Sequence, residues 1–321
     1  MPELPELEVT KDRLRLALAG RVVAGAVVRS PVALKTVTPP LEALAGRHIR
    51  SVSRLGKVIC ITCSGSSGPS SLPLSPSPLA PSTSPFPLSP SPLPSCTSPF
   101  PLSTSPLYLY IHLMLSGRFA FGPTRAPLNR LHAFALHMDR NEDLRVIEDT
   151  THHRLSIYVA TAPPQLDIVA RLGPDPLSPE FTLARFRQTL GRRSRTLKRF
   201  LTDQSAIAGI GNCFSDEILF TARLSPFAIS TAIKPEETIR LFTATKKVLQ
   251  DAILHLRALD RLPERKDRTF LRVHGRFDQP CPACSTPVKR VSYQESTLYY
   301  CPTCQTPGRE LADRRFSKFL K

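Results

Sequence analysis

CPACSTPVKRVSYQESTLYYCPTC, residues 281–304, carries two Cys-x2-Cys pairs, Cys281/Cys284 and Cys301/Cys304, sixteen residues apart. Two such knuckles place four soft thiolates around one tetrahedral ion. The closed shell leaves no open position for a substrate, so the spacing predicts one structural zinc and a small four-cysteine finger. The intervening STPVKRVSYQESTLYY is long enough for a hairpin joining the knuckles. The remaining cysteines are Cys60, Cys63, Cys96 and Cys213. Cys60-x2-Cys63 repeats the CxxC form, but it lies in a β-like run with no second pair nearby, and small buried hydrophobes account for it.

Outward from the finger the chain is basic. Arg261, Arg265, Lys266, Arg268, Arg272 and Arg276 precede it, and Arg309, Arg314, Arg315, Lys318 and Lys321 follow it. A third run, Arg185, Arg187, Arg192, Arg193, Arg195, Lys198 and Arg199, lies further upstream. The whole chain has 43 Lys and Arg against 26 Asp and Glu, a formal charge of +17. One such run is usually a solvated face; three around a helical region and a zinc module point to a phosphate-tracking surface. No stretch approaches the roughly 18 apolar residues of a membrane span. The opening MPELPELE is acidic where an export signal is basic and then apolar, so a cytoplasmic, nucleoid-associated location is expected.

Residues 64–106 stand apart: of these 43, thirteen are Pro, fifteen are Ser and none is charged. Proline removes backbone donors, so this is a low-complexity insertion, inert or a docking tract. Its flanks, Val58–Cys63 and Leu107–Leu115, read as strands, placing it in a hairpin loop. The other N-terminal runs are β-like: Arg21–Arg29, His48–Arg54, Leu131–Met138, Leu144–Ile147 and Ser156–Ala160. One amphipathic helix precedes them, with Leu7, Leu14 and Leu18 on one face. After Pro163–Pro164, helices are predicted over Thr182–Leu190, Ser194–Asp203, Phe214–Ala222 and Pro235–Leu259, broken at Gly209-Ile210-Gly211 and Pro226. The fold class is α+β. The expected parts are a β-sandwich or barrel (1–160), a helical domain (165–262), the zinc finger (270–307) and a basic tail (308–321).

The N-terminus offers chemistry. Met1 precedes Pro2, a residue small enough for the initiator to be removed, which exposes a secondary amine. An α-amino group titrates near ~8, so a usable fraction is unprotonated at neutral pH and can attack an electrophilic sugar carbon. Glu3 beside it can move protons. Taken alone, Pro and Glu here read as a helix start.

The motifs taken together decide between these readings. PELPELE, Lys57 in RLGKVI, HLMLSGRF (112–119), LGPDPLSPEF (172–181), DQSAIAGIGNCFSDEILFTARLSP (203–226), RVHGRFDQPCPACSTPV and YYCPTCQ occur in order from residue 2 to 305. In this the chain resembles the formamidopyrimidine-DNA glycosylase / endonuclease VIII family, closer to the formamidopyrimidine branch. The resemblance implies an N-terminal β-sandwich, a helix-two-turn-helix domain and a zinc finger, with damaged double-stranded DNA across the cleft and a monomeric enzyme. It implies that Pro2 attacks C1′ of the damaged nucleotide, that Glu3 handles protons at the opening sugar, and that Glu6 supports it. Lys57, His112 and Asn212 would contact phosphates near the lesion, and backbone amides of the Gly209–Asn212 turn would approach one. The base would be flipped out, excised, and the strand cut by β- and δ-elimination.

Three places depart from the family pattern. Thr150, Thr151, His152 and His153 replace Pro-Arg-Arg-Phe after Asp149, and Leu115 stands where Met is usual. Leu115, His152 and His153 are therefore the candidates to fill the gap left by the flipped base. Ser296 replaces an Arg of the zinc hairpin, removing a phosphate clamp. The Gly-rich, aromatic loop that covers 8-oxoguanine in the best-known members is here PERKDRTFLRVHGR. These changes motivate an alternative, a damage-binding member without efficient base excision. A zinc-ribbon RNA binder also fits charge and cysteines but leaves the N-terminal motif unexplained.

Overall fold

Alternation of apolar residues builds two antiparallel sheets, and one helix locks them to everything that follows. The computed structural model describes residues 1–29, 31–65, 105–148, 154–162, 166–293 and 296–311. Helix α1 spans Leu4–Leu18, followed by β1 (Val23–Val28), β2 (Ile49–Leu55), β3 (Val58–Cys63), β4 (Leu107–His112), β5 (Gly117–Pro123), β6 (His132–Met138), β7 (Glu142–Glu148) and β8 (Ser156–Ala160). One sheet has the order β1-β6-β7-β5, the other β2-β3-β4-β8. Strand β3 shows why they stack. Ile59, Ile61 and Cys63 enter the core between the sheets, while Val58 and Cys60 pack on the outer face with Tyr110, Ala160 and Leu166. Cys60 and Cys63 thus point to opposite faces, the period-two outcome of a three-residue step, and cannot share an ion.

The two flanks of the Pro/Ser-rich segment are neighbouring strands. Strands β3 and β4 pair in register from Val58↔His112 to Cys63↔Leu107; the bulk of the segment, 66–104, lies outside the described residues. The strand expected to run to Leu115 ends three residues earlier. Met114 has φ 51°, and the Gly117 amide donates to the Leu113 carbonyl at 3.0 Å, closing a turn that leads into β5. Strand β5 itself was not foreseen, having only Phe119 and Phe121 to signal it.

The helical part comprises a short α2 (Asp167–Ala170), α3 (Leu183–Gly191), α4 (Leu197–Thr202), α5 (Asn212–Ala222) and α6 (Pro235–Arg257). Helix α4 starts later than expected because Thr196 caps it, accepting from the Arg199 amide at 3.3 Å. Phe181, Phe186, Phe200, Phe214, Leu241 and Leu249 fill this second core. Helix α1 serves both: Leu7, Leu14 and Leu18 enter the sandwich core, Leu4 and Val9 the helical one. Each such buried side chain contributes about 1.5–3 kcal/mol, so α1 fixes the sandwich against the helices. Ion pairs reinforce the seam: Arg54 reaches Glu8 and Asp175, both at 2.7 Å, and Arg257 reaches Asp12 at 2.6 Å.

The C-terminal hairpin β9 (Lys289–Tyr293) and β10 (Ser296–Tyr300) is followed by α7 (Pro302–Gln305). Val273, Val288, Cys281 and Cys301 pack on Phe220 of α5. The buried Glu217 carboxylate accepts from the amides of Arg272, Val273 and His274 at 2.8–3.0 Å, which seats the module on α5. No helix among the described residues is long and apolar enough to cross a membrane.

Candidate active site

The first turn of α1 ends in the seam between the two cores. The Leu4 amide donates to the Gly209 carbonyl at 3.0 Å, bringing Glu3 against the N-terminus of α5. There one Glu3 oxygen, Oε2, accepts from the amides of Gly211 (2.7 Å) and Phe214 (3.1 Å), and the other, Oε1, from Cys213 (2.8 Å). A helix N-terminus carries unsatisfied donors and partial positive charge, and a carboxylate answers both. The two glycines follow from this contact. A Cβ on Gly211 would lie 2.5 Å from Cδ of Glu3, and one on Gly209, at φ +89°, would lie 2.9 Å from Leu4. Of the Gly209–Asn212 turn, whose amides were expected to approach a DNA phosphate, the Gly211 amide is instead taken by Glu3 and the Gly209 amide by Gln204 Oε1 at 2.8 Å.

Glu6 lies one turn on. Its Oε2 accepts from the Glu3 amide at 3.0 Å and its Oε1 from Arg268 Nε at 2.6 Å. Burial raises the Glu6 pKa, and the Arg268 guanidinium opposes that rise. Arg268 Nη2 also donates to the Met1 carbonyl at 3.0 Å. Pro2, Glu6, Leu115, Arg118 and Arg268 are among the residues lining a cavity of about 340 Å³.

Lys57 is 7 % exposed, in the turn between β2 and β3. Burial lowers its pKa, against the pull of Glu3 and Glu6. His112, at the end of β4, is depressed to about 4 by burial and by Lys57, so its ring is neutral at pH 7. Asn212 opens α5, and its side-chain amide donates to the Thr297 carbonyl of β10 at 2.6 Å. Leu115 is 54 % exposed at the tip of the turn between β4 and β5. The structure thus buries Glu3, Glu6 and Lys57, places a half-buried Pro2 with Glu6 and Leu115 in one cavity, and sets Lys57 and His112 in a second. His152 and His153 lie outside the described residues.

Away from this cavity, the Sγ atoms of Cys281, Cys284, Cys301 and Cys304 lie within 4.8 Å of one another. Three of the separations are 3.4, 3.5 and 3.9 Å, close to the ~3.8 Å edge of a tetrahedron with ~2.3 Å metal–sulfur bonds. The amides of Ala283 and Cys304 point at Cys281 and Cys301 sulfurs at 3.4 and 3.5 Å, the hydrogen bonds that stabilise bound thiolates. These four cysteines can hold a metal ion.

Two groups escaped the sequence reading. Arg268 counted only as one charge in a basic run. Asp216 joins Lys198 (2.5 Å), His274 (2.7 Å) and the Tyr299 amide (3.2 Å) behind the site. The SDE triplet held Asp216, but its partners come from three distant segments.

Two family models match the chain: the formamidopyrimidine-DNA glycosylase N-terminal domain over residues 1–153 and the H2TH domain of the same glycosylase over 172–258. A formamidopyrimidine-DNA glycosylase of Thermus thermophilus is 31 % identical over 318 residues, covering 96 % of this chain and all of the relative. A formamidopyrimidine-DNA glycosylase-like protein of Mycobacterium tuberculosis is 40 % identical over 153 residues, 47 % of this chain and 94 % of its own length. Among solved structures, MutM (Fpg) of Thermus thermophilus superposes with a TM-score of 0.72 at 28 % identity, covering 95 % of this chain and 99 % of that one. The fold is also that of MutM in complex with DNA containing carbocyclic 8-oxo-G, with a TM-score of 0.74 at 20 % identity.

Proposed function

The chain belongs to the formamidopyrimidine-DNA glycosylase family, and from that premise we propose that it is a bifunctional DNA glycosylase and AP lyase of base excision repair. It acts as a monomer on oxidised bases in duplex DNA, of the formamidopyrimidine or 8-oxoguanine type, at the nucleoid. One observation carries the reading: Glu3 is fixed by three amides at the N-terminus of α5, next in the chain to Pro2, which lines a cavity of about 340 Å³.

Once Met1 is gone, the Pro2 nitrogen forms a bond to C1′ while the bond to the base breaks, its electrons leaving with the base. The Glu3 carboxylate takes the proton from the Pro2 nitrogen, delivers it to the sugar ring oxygen as the C1′–O4′ bond breaks, and accepts protons in the later steps. Loss of the amine proton gives an iminium, which acidifies C2′ for β-elimination of the 3′ phosphate, with δ-elimination of the 5′ phosphate after it. Glu6 steadies the turn that carries both groups. Lys57, His112 and Asn212 approach the backbone phosphates, and Leu115 with His152 and His153 fills the gap in the stack. The four cysteines hold one structural zinc, which contributes charge compensation and folding free energy only.

Borohydride trapping on duplexes carrying 8-oxoguanine, a formamidopyrimidine, an oxidised pyrimidine or an abasic site tests this. A covalent adduct is expected from the mature chain beginning at Pro2 and lost in Pro2→Gly. A mature chain that binds these duplexes yet traps none of them is a damage-binding protein. Trapping at full rate in Pro2→Gly would assign the attack to another amine.

A further inference from the structure

Residues 263–270 fold as a capped 3₁₀ turn (Arg265–Phe270). Asp267, 8 % exposed, accepts from the Glu264 amide at 2.7 Å and pairs with Arg261. The turn delivers one side chain, Arg268, to the floor of the cavity. Its Nε binds Glu6 at 2.6 Å and its Nη2 binds the Met1 carbonyl at 3.0 Å. That carbonyl oxygen is two bonds from the Pro2 nitrogen. Removal of Met1 takes the acceptor away and leaves Nη2 facing the new amine.

We propose that Arg268 is a positioning residue for the Pro2 nucleophile: it clamps Glu6 and the first turn of α1, and it sets a fixed positive charge beside the Pro2 nitrogen that disfavours its protonation. This rests on Pro2 being the attacking amine.

The surrounding charges leave that role to Arg268. Glu3 and Glu6 of α1 would hold a proton on the amine, but Glu3 is compensated by three α5 amides and Glu6 by Arg268 itself. Burial keeps the Cys213 thiol of α5 protonated, and His112 of β4 is neutral at pH 7. On the 3₁₀ turn, Glu264 is paired with Lys266 at 3.1 Å. Lys57 and, from β5, Arg118 add positive charge of the same sign as Arg268.

The experiment is the rate of borohydride trapping on an abasic duplex from pH 5 to 9, for the mature chain, Arg268→Gln and Arg268→Lys. In Arg268→Gln the acid limb should move up by about one pH unit, with trapping about tenfold slower at pH 6 and recovering towards pH 9. Arg268→Lys, which keeps the charge, should return the limb to near its original place. An equal fractional loss at every pH in Arg268→Gln, or a Lys variant no better than Gln, overturns the proposal. Titration of ¹⁵N-labelled Pro2 in the unmutated mature chain needs no variant to fold. A Pro2 pKa below that of a free Pro-Glu-Leu peptide supports the proposal; one at or above it overturns it. Absence of any trapping by the unmutated chain would instead sink the nucleophile reading, and the titration would still decide where the charge acts.

Discussion

The cavity has a floor and a rim, and they are built in opposite ways. On the floor, Glu6 is 4 % exposed, and it accepts from the amide of Glu3, itself 3 % exposed and held by backbone amides. At the rim, Leu115 is 54 % exposed and Lys266 projects from the 3₁₀ turn. Backbone donors cannot be mutated away, so the floor is defined by glycines and a helix terminus that tolerate almost no change. The rim is defined by side chains that can be exchanged one at a time. A departure from the family pattern there, such as Leu115, therefore leaves the floor below intact.

The largest effect should come from the floor. Glu3→Gln keeps the volume but puts an NH2 group where one or two amides already donate. Base excision should fall by about 10²–10⁴, the usual weight of a general acid–base. Folding stability should drop by about 1–3 kcal/mol, because buried amides lose a charged acceptor. Binding to an abasic duplex should stay within a few-fold. Excision assays and thermal unfolding check this. Unimpaired excision would mean that the Glu3 carboxylate only caps α5.

A smaller and broader effect is expected from the metal site, which supports the floor from behind through α5. Metal analysis should find one zinc per chain, and Cys281→Ser should lose it. Without the metal, a module this small loses much of its folding free energy. Contacts to Glu217, Asp216 and Asn212 then loosen, so DNA affinity should fall while α1 and the sandwich still unfold cooperatively. A chain that folds fully with no stoichiometric zinc refutes the assignment.

The same contrast explains what could be read without coordinates. Cys281, Cys284, Cys301 and Cys304 were legible because metal chemistry dictates spacing. Pro2, Glu3, Glu6 and Lys57 were legible through the motifs that carry them, and the alternation in Val58–Cys63 revealed a strand. The destination of the Gly211 and Cys213 amides was not legible. The sequence marks a glycine turn as able to bind an anion, but not that residue 3 supplies the anion from 208 positions away. Arg268 was hidden for the same reason. A guanidinium in a basic run looks solvated until the fold brings Glu6, 262 residues distant, within 2.6 Å. The end of β4 at His112 was missed because Leu113, Met114 and Leu115 continue an apolar run, although Met114 takes a left-handed turn.

Lys57 lines a separate cavity together with His112, and its variant tests whether it acts on the floor or on the DNA. As a phosphate contact, Lys57→Ala should weaken binding equally on damaged and undamaged duplexes and flatten the salt slope by ~0.9. Its burial beside Glu3 and Glu6 allows a sharper outcome. If the slope is unchanged while trapping falls, Lys57 belongs to the floor and acts on the carboxylates rather than on the backbone.

The smallest effect is expected from residues 66–104, which connect two strands already paired to their ends. Cys63 faces Leu107 across the β3–β4 ladder, so removing the segment leaves Ser64, Gly65, Ser105 and Pro106, a loop length common in hairpins. The shortened loop keeps the bonds that close this end of the sheet: Ser64 N to the His48 carbonyl at 2.8 Å and Arg47 Nη1 to the Ser105 carbonyl at 2.6 Å. Loop-closure entropy changes only with the logarithm of length, about 0.6 kcal/mol per doubling, so the shorter chain should be slightly more stable. The loop joins the strand ends opposite Lys57 and His112, because β3 starts beside Lys57 and β4 ends at His112. Trapping on an abasic duplex should therefore stay within about twofold of the full chain, a difference of ~0.4 kcal/mol. A deletion variant that folds with equal or higher melting temperature yet traps several-fold more slowly would show that the segment reaches the DNA or the rim, and that the rim extends beyond the cavity described above.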